Sequence, residues 1–254
     1  MAKTEPLRIV DLAAGTRIRD WRVDRHLADG GSASVYEATH VGISDKYPGA
    51  AVLRISGDLG LSRTQATISA YNRAPSSAHV VTVFDLFEWT SGSASHLVFV
   101  LERAEHTLAD QLTADTLSNA DAYRMVRDVG TGLAAYHRAD LVHGDVKPSN
   151  IMWADGRWKL GDHAGAAPVD VDGDSTAATL HEASSSYRPP ESLDEPDRAH
   201  RHGDIWALAI VAHEAVAGRA PFRSRRQQMF GPYDIARELD DELRDFVIAA
   251  LRFD

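Results

Sequence analysis

The stretch His143–Met152 constrains this 254-residue chain more than any other. It places the carboxylate of Asp145, the ammonium of Lys147 and the amide of Asn150 at fixed offsets, ahead of an apolar pair. Any surface turn can hold one residue of each type, so a single match would mean little. A carboxylate that accepts a proton, a lysine that steadies a phosphate and an amide oxygen that binds magnesium are, however, the groups that phosphoryl transfer uses. The spacing therefore predicts a site for that chemistry.

The hydrophobic pattern changes near Arg103. Before this residue, runs rich in β-branched and aromatic residues are separated by short polar turns, which predicts strands. After it, apolar residues recur at helical spacing. We expect a polar lead-in over residues 1–20, a β-rich lobe over 21–102 and a helical lobe over 103–254. The predicted strands are Trp21–Leu27, Ala50–Ile55, Val80–Trp89 and His96–Leu101, the last two joined as a hairpin by Thr90–Ser95.

Helix signals are clearest in the second half. Ser118 can cap a helix whose first turn contains Asp121, and two glycines inside that helix suggest close packing. The residues after Asp204 are apolar nearly all round, as in a buried helix, and Gly218 predicts its end. Further predicted helices are Ser62–Arg73 and an amphipathic stretch over Leu239–Phe253.

Several other stretches follow in a fixed order. A small-residue turn at Asp29–Ser34 separates two predicted strands, and Val35 follows it. Asp162 comes after a predicted hairpin that turns at Asp155-Gly156, the dipeptide preferred in tight two-residue turns. His163, beside Asp162, is better explained as a packing residue than as a metal ligand, because magnesium prefers oxygen.

Taken together, these stretches resemble an atypical bacterial Hanks-type serine/threonine protein kinase domain. His143–Met152 is similar to the catalytic loop, H-R-D-x-K-x-x-N, and Gly161–Gly165 to the D-F-G motif. Ser185–Glu191 is similar to the end of the activation segment, and Asp204–Ala209 to the D-x-W helix start. The resemblance covers about residues 21–254. It implies an α+β, two-lobed protein-kinase-like fold with a small β-rich lobe and a larger helical lobe.

The resemblance also implies roles for single residues. Asp145 would act as the catalytic base and Lys147 on the transferring phosphate, while Asn150 and Asp162 would bind Mg²⁺. ATP would be the second cofactor. The residues expected to contact the nucleotide are Gly30, Gly31, Val35, Arg54, Glu102, Asn150 and Asp162.

The chain departs from the family pattern at several positions. Arg54 stands where the phosphate-binding lysine belongs, and its guanidinium is larger, planar and forked. Residues 60–84 contain no Asp or Glu, so the glutamate that orients this lysine in the family has no counterpart. Gly144 replaces the arginine of the catalytic loop. The family fold continues beyond Asp254 to an arginine that pairs with the carboxylate matched here by Glu191, so we expect either a shortened sequence or a lost pairing.

Composition excludes several classes of protein. The 27 basic side chains minus the 37 acidic ones give a net charge of −10, which argues against nucleic-acid binding. The absence of cysteine excludes disulfides and thiolate metal sites. No apolar run reaches the roughly 18 residues of a membrane span. These features fit a cytoplasmic protein, and the resemblance implies ATP and either a protein substrate or a regulatory protein as partners.

Three functions compete. The first is an active, atypical serine/threonine kinase in which Arg54 substitutes as the phosphate clamp. The second is a pseudokinase that binds nucleotide or a partner without turnover, which the lost lysine and glutamate favour. The third is a small-molecule phosphotransferase of the aminoglycoside-kinase type, whose loop often reads H-G-D but usually lacks a counterpart of Lys147. We place the active kinase first because Asp145, Lys147, Asn150 and Asp162 are all present.

Overall fold

The computed structural model of the protein describes residues 10–29, 33–57, 60–162, 167–168, 174–176, 185–194 and 198–252. Its contacts divide the chain into two units. Residues 1–68 and 82–103 form the first unit, and residues 69–81 and 104–254 form the second. The division expected from the sequence, into a lead-in over residues 1–20 and lobes over 21–102 and 103–254, stays a prediction.

A six-stranded antiparallel sheet forms most of the first unit. Its strands are β1 (Arg17–Ile18), β2 (Trp21–Asp29), β3 (Ala33–His40), β4 (Ala50–Ser56), β5 (Val83–Ser91) and β6 (Ala94–Leu101). They lie in the order β1-β2-β3-β4-β6-β5. Alternate residues fill one face, because side chains of a strand point to opposite sides in turn. Tyr36, Leu53 and Val100 lie side by side across three strands and are almost fully buried.

The predicted strands are confirmed, with shifts of a few residues at their ends. The hairpin between β5 and β6 is tighter than expected. Its turn consists of Gly92 and Ser93 rather than six residues, and Gly92 has φ +62°. Glycine adopts this left-handed conformation without steric cost, which explains why the strands extend so close to the turn.

The second unit is mainly helical. The helices of the chain are α1 (Gly60–Arg73), α2 (Leu108–Ala114), α3 (Asn119–Arg138), α4 (Pro190–Asp194), α5 (Arg201–Ala217), α6 (Arg225–Phe230) and α7 (Asp241–Ala250). The short strands are β7 (His106–Thr107), β8 (Leu141–Val142), β9 (Ile151–Ala154), β10 (Arg157–Leu160), β11 (Ala167–Pro168), β12 (Asp174–Thr176) and β13 (Arg198–His200). The predicted α+β class is confirmed.

Helix α5 is the centre of the second unit. It packs against α3 and α7 and is buried on almost every side, as its sequence predicted. It ends where Gly218 adopts φ +67°, the left-handed geometry of a glycine C-cap. At the start of α3, the hydroxyl of Ser118 accepts a hydrogen bond from the backbone of Asp121, which confirms the predicted cap.

Two further predictions have different outcomes. The β9–β10 hairpin turns at Asp155-Gly156 as predicted, with φ +52° and +71°. Helix α7 is shorter than the predicted Leu239–Phe253, because Asp240 caps it through the backbone N–H of Leu243. Among the helices of the described residues, none combines the length and apolarity that a membrane span needs.

Candidate active site

The loop after β8 brings the three predicted groups together. One carboxylate oxygen of Asp145, Oδ2, accepts hydrogen bonds from Lys147 Nζ at 2.6 Å and from Asn150 Nδ2 at 3.0 Å. The same Asn150 amide nitrogen donates to the backbone oxygen of Asp145 at 2.8 Å. A short 3₁₀ turn at Pro148–Asn150 closes the loop and sets this spacing. Asp145 and Lys147 stay partly accessible, with 18% and 24% of their side chains exposed.

A buried carboxylate of α5 holds the backbone of this loop. Asp204 is only 1% exposed. Its Oδ2 accepts the backbone N–H of His143 at 3.0 Å, and its Oδ1 accepts that of Gly144 at 2.8 Å. His137 Nε2 donates to Oδ2 at 2.8 Å. Because Asp204 lies in the first turn of α5, the helix dipole also favours its negative charge.

His143 connects the loop to the segment that carries Asp162. Its buried Nε2 donates to the backbone oxygen of Gly161 at 2.8 Å, and its Nδ1 accepts the N–H of Asp145 at 3.3 Å. One ring nitrogen donates and the other accepts, so the imidazole is neutral in this arrangement. His143 thereby fixes the separation between the Asp145 backbone and the residue that precedes Asp162.

Gly144 and Asp162 both have left-handed backbones. Their φ angles are +75° and +61°, a region that glycine enters freely and that Asp tolerates better than most residues. An arginine at position 144, as in the family motif, would be strained in this geometry. The residues after Asp162, including His163, lie outside the described residues.

Asp162 and Asp204 also affect a neighbouring phenol. Burial, and then the negative charges of Asp162 and Asp204, raise the pKa of Tyr136 well above its ordinary value. Tyr136 also packs edge-on against His143, with ring centroids 5.4 Å apart. Its hydroxyl therefore keeps its proton at physiological pH.

A second cleft opens beside Lys147. Its walls come from α2, the catalytic loop, Tyr187 and Glu214. The hydroxyl of Tyr187 donates to Glu214 Oε2 at 2.7 Å. Burial and this contact raise the pKa of Tyr187 far above physiological pH. An acid and a lysine thus face the same cleft.

The remaining predicted nucleotide residues belong to the first unit. Val35 in β3 pairs with Arg54 in β4, which in turn pairs with Phe99 in β6. The guanidinium carbon of Arg54 lies 5.8 Å from the centre of the Phe99 ring, within the range of a cation–π contact. The carboxylate of Glu102 accepts the backbone N–H of Thr82 at 3.0 Å.

The predicted phosphate-covering turn is described only at its two edges. Gly30 and Gly31 lie outside the described residues. Ser34 donates from its hydroxyl to Asp29 Oδ1 at 2.8 Å across the hairpin. Hydrogen bonds from Ser34 and His26 lower the pKa of the Asp29 carboxyl, so Asp29 remains charged at neutral pH.

Comparison with known proteins identifies the family. A model of the protein kinase domain matches residues 21–248, about nine tenths of the chain. The chain belongs to the protein kinase domain family. The predicted two-lobed protein-kinase-like fold is therefore confirmed.

The most similar curated proteins are serine/threonine kinases. The chain is 28% identical over 234 residues to a probable serine/threonine-protein kinase pknA2 of Bifidobacterium longum, covering 88% of this chain and 29% of that protein. It is 29% identical over 208 residues to serine/threonine-protein kinase PknA of Mycobacterium tuberculosis, covering 80% and 48%. It is also 29% identical over 159 residues to a calcium and calcium/calmodulin-dependent kinase, DMI-3, of Medicago truncatula, covering 59% and 29%. The chain thus spans less than half the length of each.

The structure of this kinase domain adds residues that sequence reasoning did not assign to the site. Asp204 was recognised only as part of a helix start, although a carboxylate directly before a long apolar run signals a buried partner. His137 and Glu214 carried no comparable signal, because their partners lie 67 and 27 residues away in the sequence. The sequence led us to expect either a shortened sequence or a lost pairing for Glu191, and it did not indicate a partner for this carboxylate in α5. His202 Nε2 lies 2.6 Å from Glu191 Oε1.

Proposed function

We propose that this kinase domain transfers the γ-phosphoryl group of ATP, in the presence of Mg²⁺, to serine or threonine hydroxyls of protein substrates. The observation that carries the proposal is the arrangement of Lys147 and Asn150 on one oxygen of Asp145. The serine/threonine kinase relatives support the class of acceptor.

Asp145 is the proposed base. An incoming hydroxyl would donate its proton to the Asp145 carboxylate while its oxygen forms a bond to the γ-phosphorus and the bond to the leaving ADP oxygen breaks. The amide of Asn150 fixes the orientation of the carboxylate, and Asp204 fixes the backbone beneath it. The ammonium of Lys147, which also contacts Asp145, would stabilise the negative charge on the phosphoryl oxygens.

Asn150 and Asp162 fit a magnesium site by their chemistry. The amide nitrogen of Asn150 is committed to Asp145, which leaves its carbonyl oxygen as the atom for a metal. Asp162 supplies a carboxylate, and hard oxygen ligands are those that Mg²⁺ prefers. When bound, ATP supplies the phosphoryl group and Mg²⁺ neutralises charge on its phosphates.

Residues of the first unit are proposed to hold the nucleotide. Arg54 would replace the family's lysine as the phosphate clamp, because a guanidinium can donate two parallel hydrogen bonds to phosphate oxygens. Four further contacts with the nucleotide remain predictions, from Gly30, Gly31, Val35 and Glu102. A cytoplasmic location also remains a prediction.

Label transfer from ATP to a generic protein acceptor tests the proposal. We expect Asp145→Asn to lose transfer by at least about 100-fold, the range for a lost general base, with ATP binding nearly unchanged. Asp155→Asn is the matched control, since Asp155 lies in an exposed turn and bonds Lys159. Residual transfer by Asp145→Asn near the parent level would remove the proposed base.

A pseudokinase is the second candidate. Helix α1 carries no carboxylate, so the glutamate that holds the lysine in the family has no counterpart in this helix. The domain would then bind nucleotide or a partner protein without turnover. Saturable ATP binding with no label transfer by the parent under any divalent ion would favour this function.

A further inference from the structure

The carboxylate of Glu191 is held by a titratable partner. Glu191 lies in α4, at the end of the segment that follows Tyr187, and His202 lies in the first turn of α5. Their side-chain atoms Oε1 and Nε2 are 2.6 Å apart. An arginine would keep its charge at every physiological pH, whereas an imidazole ordinarily gains or loses its charge near pH 6.5.

Other titratable groups surround this pair on every described element packed against it. His200, at the end of β13, stacks on His202 with centroids 4.9 Å apart and an interplanar angle of 16°. Arg201, between the two histidines, is paired with Asp140 at 2.6 Å. Arg188 and Asp204 line one cavity with His200, and the phenol of Tyr233 lies close enough to Glu191 to be affected by its charge. Helix α6, which packs against α4, carries the exposed Arg225 and Arg226.

The segment anchored by Glu191 forms one wall of a small cavity beside Asp145. Tyr187, Pro189 and Ser192 line this cavity together with Asp145 and Gly203. The backbone oxygen of Arg188 also accepts a hydrogen bond from Gln228, at 2.8 Å. The position of Glu191 therefore affects the protein surface next to the proposed base.

We infer that His202 is a positioning residue, which holds the Tyr187–Ser192 segment against α5 through Glu191, and does so more firmly in mildly acidic than in alkaline solution. The inference deepens the proposed function and rests on it for its effect on substrate. In alkaline solution a neutral imidazole donates a hydrogen bond in which only the acceptor, the Glu191 carboxylate, is charged. Once the imidazole is protonated, both partners are charged and the attraction between them is stronger.

The charge state of Glu191 agrees with this arrangement. Partial burial raises the pKa of its carboxyl, but the hydrogen bond from His202 and the charges of His202 and His200 outweigh burial and lower it. A lowered carboxyl pKa means that the contribution to stability is present above the ordinary Glu value and is lost as the pH falls below it. The ion pair therefore forms where Glu191 is ionised and His202 is protonated, and above about pH 6.5, the ordinary imidazole value, a charged Glu191 faces a neutral His202.

Hydrogen exchange of the peptide containing Tyr187–Ser192 tests the inference without requiring catalysis. After correction for intrinsic exchange, the parent should be about twofold to fivefold better protected at pH 5.8 than at pH 7.8, the range for a partly exposed ion pair. His202→Gln should lose this pH dependence. His202→Arg should keep the protection at both pH values. His26→Gln is the control: its imidazole contacts Asp29 in the first unit, so exchange of this peptide should keep the pH dependence of the parent.

The Michaelis constant for a peptide acceptor provides a second readout. It should rise with pH in the parent and stay level in His202→Arg. If no variant transfers phosphate, the proposed function fails while the exchange result still decides the role of His202. Exchange in His202→Gln that equals the parent's at both pH values would overturn the inference, as would loss of the pH dependence in His26→Gln.

Discussion

At the scale of single residues, Arg54 decides between the two candidate functions. An arginine can donate two parallel hydrogen bonds to phosphate oxygens without a carboxylate to orient it. We therefore expect Arg54→Ala to weaken ATP binding by about 1–3 kcal/mol, the range for a lost charged hydrogen bond. Arg54→Lys should not raise transfer above the parent level. Nucleotide titration and steady-state kinetics at saturating Mg²⁺ measure both. Arg22→Ala is the control, because Arg22 is an exposed strand arginine paired with Asp24.

A gain of tenfold or more in Arg54→Lys would mean that Arg54 raises the barrier by about 1.4 kcal/mol. The pseudokinase would then become the better description of this domain.

His213 is expected to make the fold sensitive to acid. It is completely buried in α5, donates from Nδ1 to the backbone oxygen of Arg219 at 2.8 Å and accepts the N–H of Ala236 at Nε2 at 3.0 Å. Burial and the charge of Arg219 lower its pKa, more than its hydrogen bonds and the charge of Asp234 raise it. The folded protein thus keeps His213 neutral, while the unfolded chain takes up a proton below about pH 6.5.

The free energy of unfolding should therefore fall as the pH drops through 6.5, by up to about 1.4 kcal/mol per pH unit for this one group. Denaturant titrations of the parent and of His213→Gln at pH 7.5 and 5.5 measure the difference. His213→Gln should be less stable than the parent at pH 7.5 and should lose less stability than the parent on acidification. Parallel pH curves for the parent and His213→Gln would contradict the assignment.

At the scale of elements, the two glycines of α3 separate packing from helix propensity. A Cβ at Gly132 would lie 2.6 Å from the backbone oxygen of His79, whereas at Gly130 the nearest atom is Leu208 Cδ2 at 4.0 Å. Gly132→Ala should lower the free energy of unfolding by about 1–3 kcal/mol, the range for overpacking. Gly130→Ala should raise it by up to about 1 kcal/mol. Thermal and denaturant unfolding measure whether the free energy of unfolding falls in Gly132→Ala and rises in Gly130→Ala. Stabilisation by both substitutions would show that the backbone at His79 moves to make room for the added methyl group.

The same elements show how far sequence reasoning extends. Local signals predicted the Ser118 cap, the Asp155-Gly156 turn and the Gly218 stop, because each depends on a few neighbouring residues. The start of α7 was misplaced, because from the sequence alone Asp240 could be either the N-cap or a residue inside the helix. The partners of Glu191 and Asp204 could not be predicted, because a contact between residues 11 or 61 apart depends on how the intervening chain folds.

At the scale of the whole molecule, nucleotide binding should depend on a divalent ion. Asn150 and Asp162 are present while the lysine–glutamate clamp is absent, so ATP alone should stabilise the fold weakly and ATP with Mg²⁺ clearly more. Thermal shift measurements at increasing ATP test this, because stabilisation grows as RT ln(1 + [L]/K_d). Asp162→Asn should lose the metal-dependent part, and Asp155→Asn should not. Equal shifts with and without Mg²⁺ would argue against the metal site.

The bond between Asp204 and the backbone of His143 and Gly144 also has a consequence for synthesis of the chain. A ribosome releases the catalytic loop 61 residues before the carboxylate that holds it. Until α5 emerges, the two N–H groups lack that acceptor, and a contact of such long sequence separation forms late. The proposed transfer site would thus reach its final structure after the hairpin of β9 and β10, which joins residues close in sequence.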